Sequence, residues 1–544
     1  MTDRLAAVEQ AIARDPNDYL AWHERGTLLF AMGRMAEALA SYDRVIAIEP
    51  RLAEPHDNRG LVLQRLQRYG EAVEAHGAAI ARNPRFALAY LRRAMALREF
   101  GRFREALRDA EQAVALQPDS PLVHNGRGVL RDDLGDAEAA IEDFRVALRL
   151  APGFAEARNN LGNALHALGR YQEALVEFDA AIAARPGYPE ALGNRGLALH
   201  ELGRFDEAMA AYDAALRGQP GAAETRKRRA MLHLLRGDFA AGWQDYDHAV
   251  AASRARQRAN GQAPVPRWWE GQPLQGRSIL VSEPNGLGDL LQYWRFIPVL
   301  QAMGARVGCA GPASMRRLLE GSPWRVDWVE PADAAGFDFQ THLWSVPRLL
   351  RIDADAIPAP VPYLRSEPAA EARWAGLVEH GCINIGINWQ GKPGRRIDAG
   401  RSIPLAAFLP LARVPGVRLV SLQRKVGLEQ LKALPEGMEV VDPGSGFDAG
   451  GDAFVDTAAL MASLDLVVSS DSAVAHLAGA MGRPTWLAIK AVPEWRWMLG
   501  RDHTPWYPTM RLFRQPRAGD WDSVFAAMAQ ALRAGDTRLP DGSA

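Results

Sequence analysis

The sequence predicts an α-solenoid over residues 1–252, followed by an α/β region of two lobes. Prolines recur every 34 residues through the first part of the chain, at Pro16, Pro50, Pro84, Pro118, Pro152, Pro186 and Pro220. After about residue 252 this register is lost, and short apolar runs then alternate with helical stretches, which favours parallel sheets. A proline-rich passage at residues 357–374 separates two sets of these runs, so two lobes are expected.

The composition excludes several classes of protein. A chain of 544 residues is too long for a single core, and its net charge of −1 gives no general electrostatic reason to bind nucleic acid. Its two cysteines, Cys309 and Cys382, cannot build a disulfide framework. No apolar run approaches the roughly 18 residues of a membrane span, and the N-terminus lacks the apolar segment of a signal peptide. We therefore expect a soluble, cytoplasmic protein.

Residue types also repeat within the 34-residue period. A small residue recurs in register at Gly26, Gly60, Ala94, Gly128, Gly162, Gly196 and Ala230. Aromatic side chains often share another slot, as at Tyr42, Phe144, Phe178 and Tyr212. Small residues let the two helices of a hairpin approach closely, an aromatic ring fills the remaining gap, and proline ends the second helix. The pattern resembles the tetratricopeptide repeat (TPR), which implies stacked pairs of helices.

The predicted array begins with half a repeat at residues 4–16, and its last repeat lacks the terminal proline but carries Trp243. We interpret Trp243 as packing the array against the region that follows. Arrays of this kind offer a concave surface that usually binds extended peptides. Three asparagines share one slot, and their amides can bind a peptide backbone, which predicts acceptor binding at Asn58, Asn160 and Asn194. The alternative is that asparagine occupies this slot for local reasons.

The rest of the chain divides into a linker at residues 253–273, an N-terminal lobe at 274–375 and a C-terminal lobe at 376–544. Both lobes are expected to contain parallel, Rossmann-like sheets, which bind ligands in a cleft at the carboxyl ends of their strands. Four polar loops follow predicted strands, at residues 282–289, 388–402, 421–425 and 469–476. These loops predict a ligand site between the two lobes.

The loop at residues 469–476, SSDSAVAH, precedes a short predicted helix. The free backbone N–H groups at the start of that helix, the Ser472 hydroxyl and His476 one turn later would suit an anion such as a diphosphate. The alternative is that Asp471 or Ser472 only caps the helix, and that His476 only packs.

Three motifs together resemble one family. Residues 471–484, DSAVAHLAGAMGRP, resemble the donor-site motif of glycosyltransferase family 9, the ADP-heptosyltransferase family. Residues 285–289, NGLGD, resemble its glycine loop, and residues 392–401 resemble its lysine-bearing loop. Residues 493–521 are similar to a C-terminal signature of bacterial proteins that fuse TPR arrays to such a domain. The family usually has Asp-Thr-Gly where this chain has Asp-Ser-Ala at 471–473, and the N-terminal lobe is short for a heptosyltransferase.

The resemblance implies a GT-B fold and an inverting transfer without a metal ion. Asp289 is expected to be the catalytic base that accepts the proton of the acceptor hydroxyl. The expected donor-binding residues are Gly286, Gly288, Trp389, Lys392, Arg401, Ser402, Gln423, Asp471, Ser472, Ala473 and His476. No cofactor is expected, since the nucleotide sugar is a co-substrate. The sequence Asp353-Ala354-Asp355 has the form of a D-x-D metal motif, but it lies in the hinge region at the start of the proline-rich passage, away from a predicted strand end.

The functional hypothesis is therefore a glycosyltransferase that transfers a sugar from a nucleotide-sugar donor to a protein, with flagellin as one candidate acceptor. The TPR groove would bind the polypeptide. One alternative is a heptosyltransferase-like enzyme that acts on a lipopolysaccharide or another glycolipid. The other alternative is a non-enzymatic TPR scaffold with a degenerate transferase domain.

Overall fold

The structure is a computed structural model that describes residues 1–259, 266–283, 286–358, 361–391 and 400–536, with side chains except at 252–259 and 331–332. It divides into two compact units, Met1–Leu199 and His200–Ala544. The α/β region and the last helices of the array lie in the second unit. The domain boundaries expected from the sequence stay predictions.

Residues 1–259, all described, form fifteen consecutive helices of a TPR solenoid, which confirms the predicted array. They are α1 (Thr2–Arg14), α2 (Tyr19–Ala31), α3 (Met35–Ile48), α4 (Ala53–Arg65), α5 (Tyr69–Arg82), α6 (Ala87–Glu99), α7 (Phe103–Leu116), α8 (Pro121–Asp133), α9 (Ala137–Leu150), α10 (Ala155–Ala167), α11 (Tyr171–Ala184), α12 (Pro189–Glu201), α13 (Phe205–Gly218), α14 (Ala223–Leu235) and α15 (Phe239–Ala259).

The small and aromatic slots of the repeat face each other inside a helix pair. A Cβ atom added at Gly162 would lie 2.5 Å from Cε1 of Phe178, so a larger residue there would displace the ring. Gly128 stands in the same relation to Phe144, at 2.6 Å. The glycine therefore allows the close approach that the sequence pattern predicted.

The first sheet of the second unit belongs to the N-terminal lobe. In the described residues its strands are all parallel and run in the order β1-β5-β2-β3-β4. They are β1 (Arg267–Trp268), β2 (Ser278–Ser282), β3 (Arg306–Ala310), β4 (Asp327–Trp328) and β5 (Phe339–His342). The helices of this lobe are α16 (Leu287–Tyr293), α17 (Ile297–Ala302), α18 (Arg316–Glu320), α19 (Val346–Leu349) and α20 (Pro368–Trp374).

The second sheet belongs to the C-terminal lobe and has the order β11-β12-β10-β9-β6-β7-β8 in the described residues. Its strands are β6 (Ile383–Asn388), β7 (Val417–Ser421), β8 (Val440–Val441), β9 (Leu466–Ser470), β10 (Thr485–Ile489), β11 (His503–Thr504) and β12 (Tyr507–Arg514). All pairs are parallel except β11 with β12. The helices are α21 (Leu409–Ala412), α22 (Val455–Ala462), α23 (Ala473–Ala480) and α24 (Trp521–Arg533). The predicted α/β region with parallel sheets is confirmed.

The two lobes share one apolar core, which includes Val281 and Trp294 from the first lobe and Leu477 and Tyr507 from the second. The buried Arg295 crosses this core, and its Nη1 donates a hydrogen bond of 2.7 Å to the carbonyl of Trp506. A charge at this depth needs partners, which tie α16 and its neighbours to the second sheet.

The last helix of the array, α15, packs against the α/β region. The indole N–H of Trp243 donates a hydrogen bond of 2.6 Å to the carbonyl of Ile352, as its expected packing role requires. The Tyr246 ring meets Trp344 edge-to-face at 5.3 Å between centroids. Helix α15 is therefore packed against the α/β region within the second unit. Among the helices of the described residues, none combines the length and the apolar character that a bilayer span requires.

Candidate active site

The candidate site lies where the carboxyl ends of several parallel strands meet. Strand β9 has β10 on one side and β6 on the other, so the loops after these three strands are neighbours. They contain residues 471–472, 490–497 and the described parts of 389–402, respectively. Ligands of open α/β sheets bind at this edge. The predicted loop at 421–425 follows β7, which lies next to β6, so the structure brings three of the four predicted loops, or parts of them, to one sheet edge beside the loop after β10.

Helix α16 of the first lobe approaches the start of α23 at Gly288. A Cβ added to Gly288 would lie 3.0 Å from Cδ2 of His476 and 3.3 Å from Cα of Ala473. These distances are tighter than ordinary van der Waals contact, so the glycine serves the close packing of the two helices. At Gly286 an added Cβ would meet nothing closer than Oδ2 of Asp289, at 3.9 Å. A donor contact by either glycine stays a prediction.

Arg496 lies at the centre of the polar cluster. Its Nη2 atom donates to Oδ1 of Asp289 at 2.9 Å and lies 3.3 Å from Oε2 of Glu494. Its Nη1 atom lies 3.3 Å from Nε2 of His476. The Arg496 side chain is only 12% exposed and that of Asp289 is 21% exposed, so this ion pair is more strongly coupled than one on the surface.

Arg496 was not identified as a site residue from the sequence, although it lies within the signature at residues 493–521. The available signal was its position in the loop after β10, beside the loop that carries Asp471 and Ser472. Charged residues at the carboxyl end of a strand next to a predicted site are candidates for that site.

His476 is buried, and both of its ring nitrogens contact other side chains. A guanidinium can only donate, so Nε2 accepts from Arg496, and Nδ1 carries the proton that is donated to Oη of Tyr507 at 3.0 Å. Burial and the charges of Arg496, Arg295 and Arg401 hold the pKa of His476 well below its usual value. The ring is thus neutral at neutral pH, and its resolved role is to orient Arg496. Its contact with a donor stays a prediction.

Asp471 is buried at the end of β9. Burial and the charge of Glu494 raise the pKa of this carboxyl to about 6, while Arg496 and Arg401 oppose the rise. The group therefore changes its charge near neutral pH.

Ser472 occupies the N-cap position just before α23, but its side chain makes no capping hydrogen bond. Its hydroxyl donates instead to Oδ1 of Asn388 at 2.8 Å. In the described part of the chain, the backbone N–H groups of Ala473 and Val474 have no hydrogen-bond partner. The interpretation of Ser472 as only a cap is therefore wrong, and the start of α23 keeps donors that an anion can use.

Gln423 joins the loops after β6 and β7. Its Oε1 accepts from the backbone N–H groups of Trp389 and Gln390 and from Nδ2 of Asn388, at 2.8–3.1 Å. Its Nε2 donates to the carbonyls of Gln390 and Val426. These bonds use the capacity of the amide, so a donor contact by Gln423 would compete with them. Asn388, which links Gln423 to Ser472, was not identified from the sequence.

The remaining expected donor residues have mixed placements. The Trp389 ring is buried in the core, and its N–H donates to the carbonyl of Gly427 at 3.2 Å. Arg401 is half-buried and close enough to Asp471 to lower its pKa, and Ser402 follows it at the same edge. Lys392 lies outside the described residues. For all four residues a donor contact stays a prediction.

The three asparagines of the array contact the preceding repeat. Nδ2 of Asn160 donates to Oδ1 of Asn125, and Nδ2 of Asn194 donates to Oδ1 of Asn159, each at 3.0 Å. Nδ2 of Asn58 lies 2.9 Å from Nε2 of His23. Each partner is 35 residues earlier in the chain, so the amides connect successive repeats. These contacts between repeats are a local structural reason for asparagine at this position of the repeat. Peptide binding by these residues stays a prediction.

The D-x-D sequence has a structural role at its first residue. Oδ1 of Asp353 accepts from the backbone N–H groups of Asp355 and Ala356 at 3.1 and 3.0 Å, which caps a short turn. Within the described residues, no group of three or more potential metal ligands comes together.

Family profiles match both parts of the chain. TPR profiles match residues 26–67 and, in five overlapping segments, residues 58–263. The profile of glycosyltransferase family 9 (heptosyltransferase) matches residues 416–487, which include Gln423, Asp471, Ser472 and His476. The chain therefore combines TPR repeats with a family 9 segment, and the resemblance inferred from the sequence is confirmed.

One curated relative is Protein FlbA of Caulobacter vibrioides, which is 28% identical over 326 residues. The match covers 55% of this chain and 53% of FlbA, so the chain spans about half the length of the relative. Among solved structures, PilF of Pseudomonas aeruginosa is 21% identical, with a TM-score of 0.35, 40% of this chain covered and 99% of PilF. The Cut9–Hcn1 hetero-tetramer of APC/C is 18% identical, with a TM-score of 0.40, 48% of this chain covered and 51% of the other.

Proposed function

We propose that this chain transfers a sugar from a nucleotide-sugar donor to a polypeptide acceptor. The observation that carries the proposal is the contact between the lobes at Arg496, which joins Asp289 of α16 to His476 of the segment that matches family 9. Such a cluster lies at the sheet edge where a donor would bind, and it combines a carboxylate with a fixed positive charge.

Asp289 is proposed as the general base. Oδ1 of Asp289 accepts from Arg496, which leaves Oδ2 on the side of Gly286, without a hydrogen bond within the described residues. In the proposed step the acceptor hydroxyl gives its proton to Oδ2 while its oxygen attacks the anomeric carbon. The bond from that carbon to the diphosphate oxygen breaks with its electron pair, so the configuration inverts.

The start of α23 is proposed to bind the donor diphosphate. The N–H groups of Ala473 and Val474 are available donors, and the positive end of the helix favours an anion. Arg401 would add a positive charge at the same edge, with Lys392 of the adjoining segment. Because the negative charge on the diphosphate grows as it departs, donors fixed at this position stabilise the transition state most. The proposal uses these groups in place of a metal ion.

The TPR array is proposed to supply the acceptor. Arrays of paired helices present a continuous inner surface that suits an extended polypeptide. The family that matches residues 416–487 is described as heptosyltransferase. This match favours a second candidate, transfer to a glycolipid. The third possibility from the sequence, a scaffold without activity, predicts neither hydrolysis nor transfer.

A donor panel tests the proposal. The full-length protein is incubated with nucleotide sugars that carry a labelled sugar, with lysate protein or lipid extract as acceptor, and released nucleotide diphosphate is measured. We expect one donor to be turned over by the wild type, with label in the protein fraction, and much less turnover by Asp289→Asn. Label in lipid alone would favour the glycolipid candidate. Equal rates for the wild type and Asp289→Asn would remove Asp289 from the mechanism.

A further inference from the structure

The turn at Trp495–Trp497 places two side chains in the candidate site. Arg496 contacts Asp289 and His476, as described above. The next residue, Trp497, is fully buried and stacks on the His476 ring, with 5.5 Å between centroids and 21° between planes. The position of Arg496 therefore depends on how this short turn is held.

The other side of the turn is held by the last repeat. The Trp495 ring meets Phe239 and Trp243 of α15 edge-to-face, at 6.1 and 5.6 Å between centroids. The backbone N–H of Leu499 donates a hydrogen bond of 3.1 Å to the carbonyl of Leu235, the last residue of α14. Such edge-to-face aromatic pairs stabilise a contact beyond the area that they bury. The turn is thus fixed between the repeat array and the site.

The backbone of the turn is strained at Met498. This residue has φ 46° and ψ 173°, a backbone conformation that is used almost only by glycine and is unfavourable for a larger residue. The conformation is held because Met498 is buried in one cluster with Leu234, Phe239 and Trp243. Its carbonyl also accepts a hydrogen bond of 2.7 Å from Nη2 of Arg514. If the packing on the repeat were lost, the backbone at Met498 would relax to a conformation of lower free energy, and the turn would move.

We propose that the last TPR repeat positions Arg496, through contacts of Phe239 and Trp243 with the 495–498 turn. Phe239 and Trp243 are then positioning residues of the transferase site, and α15 has a role in turnover that is separate from acceptor binding. The expected effect on turnover rests on the proposed function. The positioning of Arg496 rests only on the contacts of α15 with the turn.

The alternative is that these aromatics only attach the array. Helix α15 offers a matched control, since Tyr246 is another buried ring of the same helix that packs on the α/β region. Tyr246 contacts Trp344 in the first lobe, and among the described residues its ring makes no aromatic contact with the turn. Trp243→Leu and Tyr246→Leu therefore both remove an aromatic attachment of α15, but only the first removes support from Arg496.

The first test reads the geometry without requiring any activity. Full-length protein with ¹⁵N-labelled histidine is studied by NMR, and the His476 signals are assigned with His476→Gln. We expect Trp243→Leu to move the Nε2 signal in the same direction as Arg496→Lys does, because the guanidinium no longer donates to it. Tyr246→Leu should leave it in place. An unchanged Nε2 signal in Trp243→Leu would overturn the inference.

The second test is a double-mutant cycle on turnover. Trp243→Leu should lower kcat roughly tenfold or more with little change in the KM for the donor. The reason is that a displaced Arg496 no longer holds Asp289 in place, which reduces the stabilisation of the transition state. In the Arg496→Lys background the same substitution should have little further effect, because its partner is already lost. Independent, multiplying losses would show that Trp243 does not act through Arg496 and would overturn the inference.

Two further variants keep the tests decisive. If Trp243→Leu does not fold, Phe239→Leu removes the other aromatic contact between α15 and Trp495 and is used in the same way. Trp243→Phe keeps a ring in this position and should retain near wild-type turnover. If the wild type transfers no sugar from any donor, the proposed function fails, whereas the NMR test still decides whether the repeat positions Arg496.

Discussion

Polar side chains contact one another in both the repeat array and the α/β region, but the two regions connect them in different ways. In the array, each asparagine of the shared slot is bonded to a residue 35 positions earlier, in the preceding repeat. In the α/β region, Arg496 joins His476, 20 residues away, to Asp289, 207 residues away. The asparagine bonds are between neutral groups, and partly buried ion pairs of the array such as Arg92 with Asp57 also join adjacent repeats, whereas Arg496 brings charged groups from distant segments together.

This difference shows where chemistry is to be expected. A bond that recurs with the period of the repeat stabilises the stacking of identical units, and it follows from the repeat itself. Charged groups from distant segments are unfavourable to bury unless they are paired, so a cluster that is built from them needs another reason to exist. Five substitutions test the contrast, beginning with the largest expected effect.

Asp289→Asn should have the largest effect. The amide keeps the size of the side chain but cannot accept the proton of the acceptor hydroxyl, so we expect turnover to fall by roughly 10²-fold or more. Donor binding, measured by titration calorimetry, should stay within a few-fold of the wild type. Asp353→Asn is the control, since that exposed carboxylate caps a turn outside the site. A similar loss in both variants would indicate a general effect of lost charge.

Arg496→Lys should be the next largest. A lysine keeps the positive charge, but its single ammonium group cannot reproduce the fork that contacts Asp289 and His476 at once. A lost hydrogen bond to a charged group corresponds to about 1.5–3 kcal/mol, so turnover should fall roughly tenfold to a hundredfold. Steady-state kinetics at saturating donor measures this loss. Near wild-type kcat would mean that the fork geometry is irrelevant to catalysis.

Asp471→Asn should alter the pH dependence of stability. The folded pKa of Asp471 is raised to about 6 because burial disfavours the charged form, while the unfolded carboxyl ionises near 3.8. The stability from this group is complete below the unfolded pKa and is lost as the pH rises through about 6. The melting temperature of Asp471→Asn, relative to the wild type, should therefore increase from pH 5 to pH 7.5. A constant difference would contradict the raised pKa.

Gly162→Ala should destabilise the array by roughly 1–3 kcal/mol, because its Cβ would press on the Phe178 ring. Gly153→Ala is the control, since an added Cβ there meets nothing within 4 Å. Thermal unfolding followed by circular dichroism measures both variants. Equal melting temperatures for the two variants would show that the small slot does not govern helix packing.

The arrangement of small and aromatic residues was predictable from the sequence because it depends on residues sixteen positions apart within one period. The two parallel sheets were predictable for a similar reason, since apolar runs bounded by turns are local. Asp289, Ser472 and His476 were selected through motifs, and the structure places Asp289 and His476 on one arginine. Arg496 itself was missed, because its role depends on partners that only the fold brings near. The hydrogen bonds that occupy the Gln423 amide were likewise not predictable, because they form only where two loops from different parts of the chain meet.

The smallest effect per substitution is expected when Asn58, Asn160 and Asn194 are replaced together by alanine. Each change removes one inter-repeat hydrogen bond, which contributes about 1 kcal/mol to stability. If the amides also bind the acceptor, binding of the acceptor polypeptide should weaken while donor turnover without acceptor is unchanged. A lower melting temperature with full acceptor binding would leave the asparagines a purely structural role.

The most direct measurement is the mass of the polypeptide that the full-length protein captures in cells. Wild type and Asp289→Asn are each expressed with an affinity tag, and the captured polypeptides are analysed by mass spectrometry. The account predicts the same polypeptide in both, with the mass of a sugar added in the wild type and absent in Asp289→Asn. Sugar-free polypeptide in both, together with new sugar on lipid in the wild type alone, would contradict it.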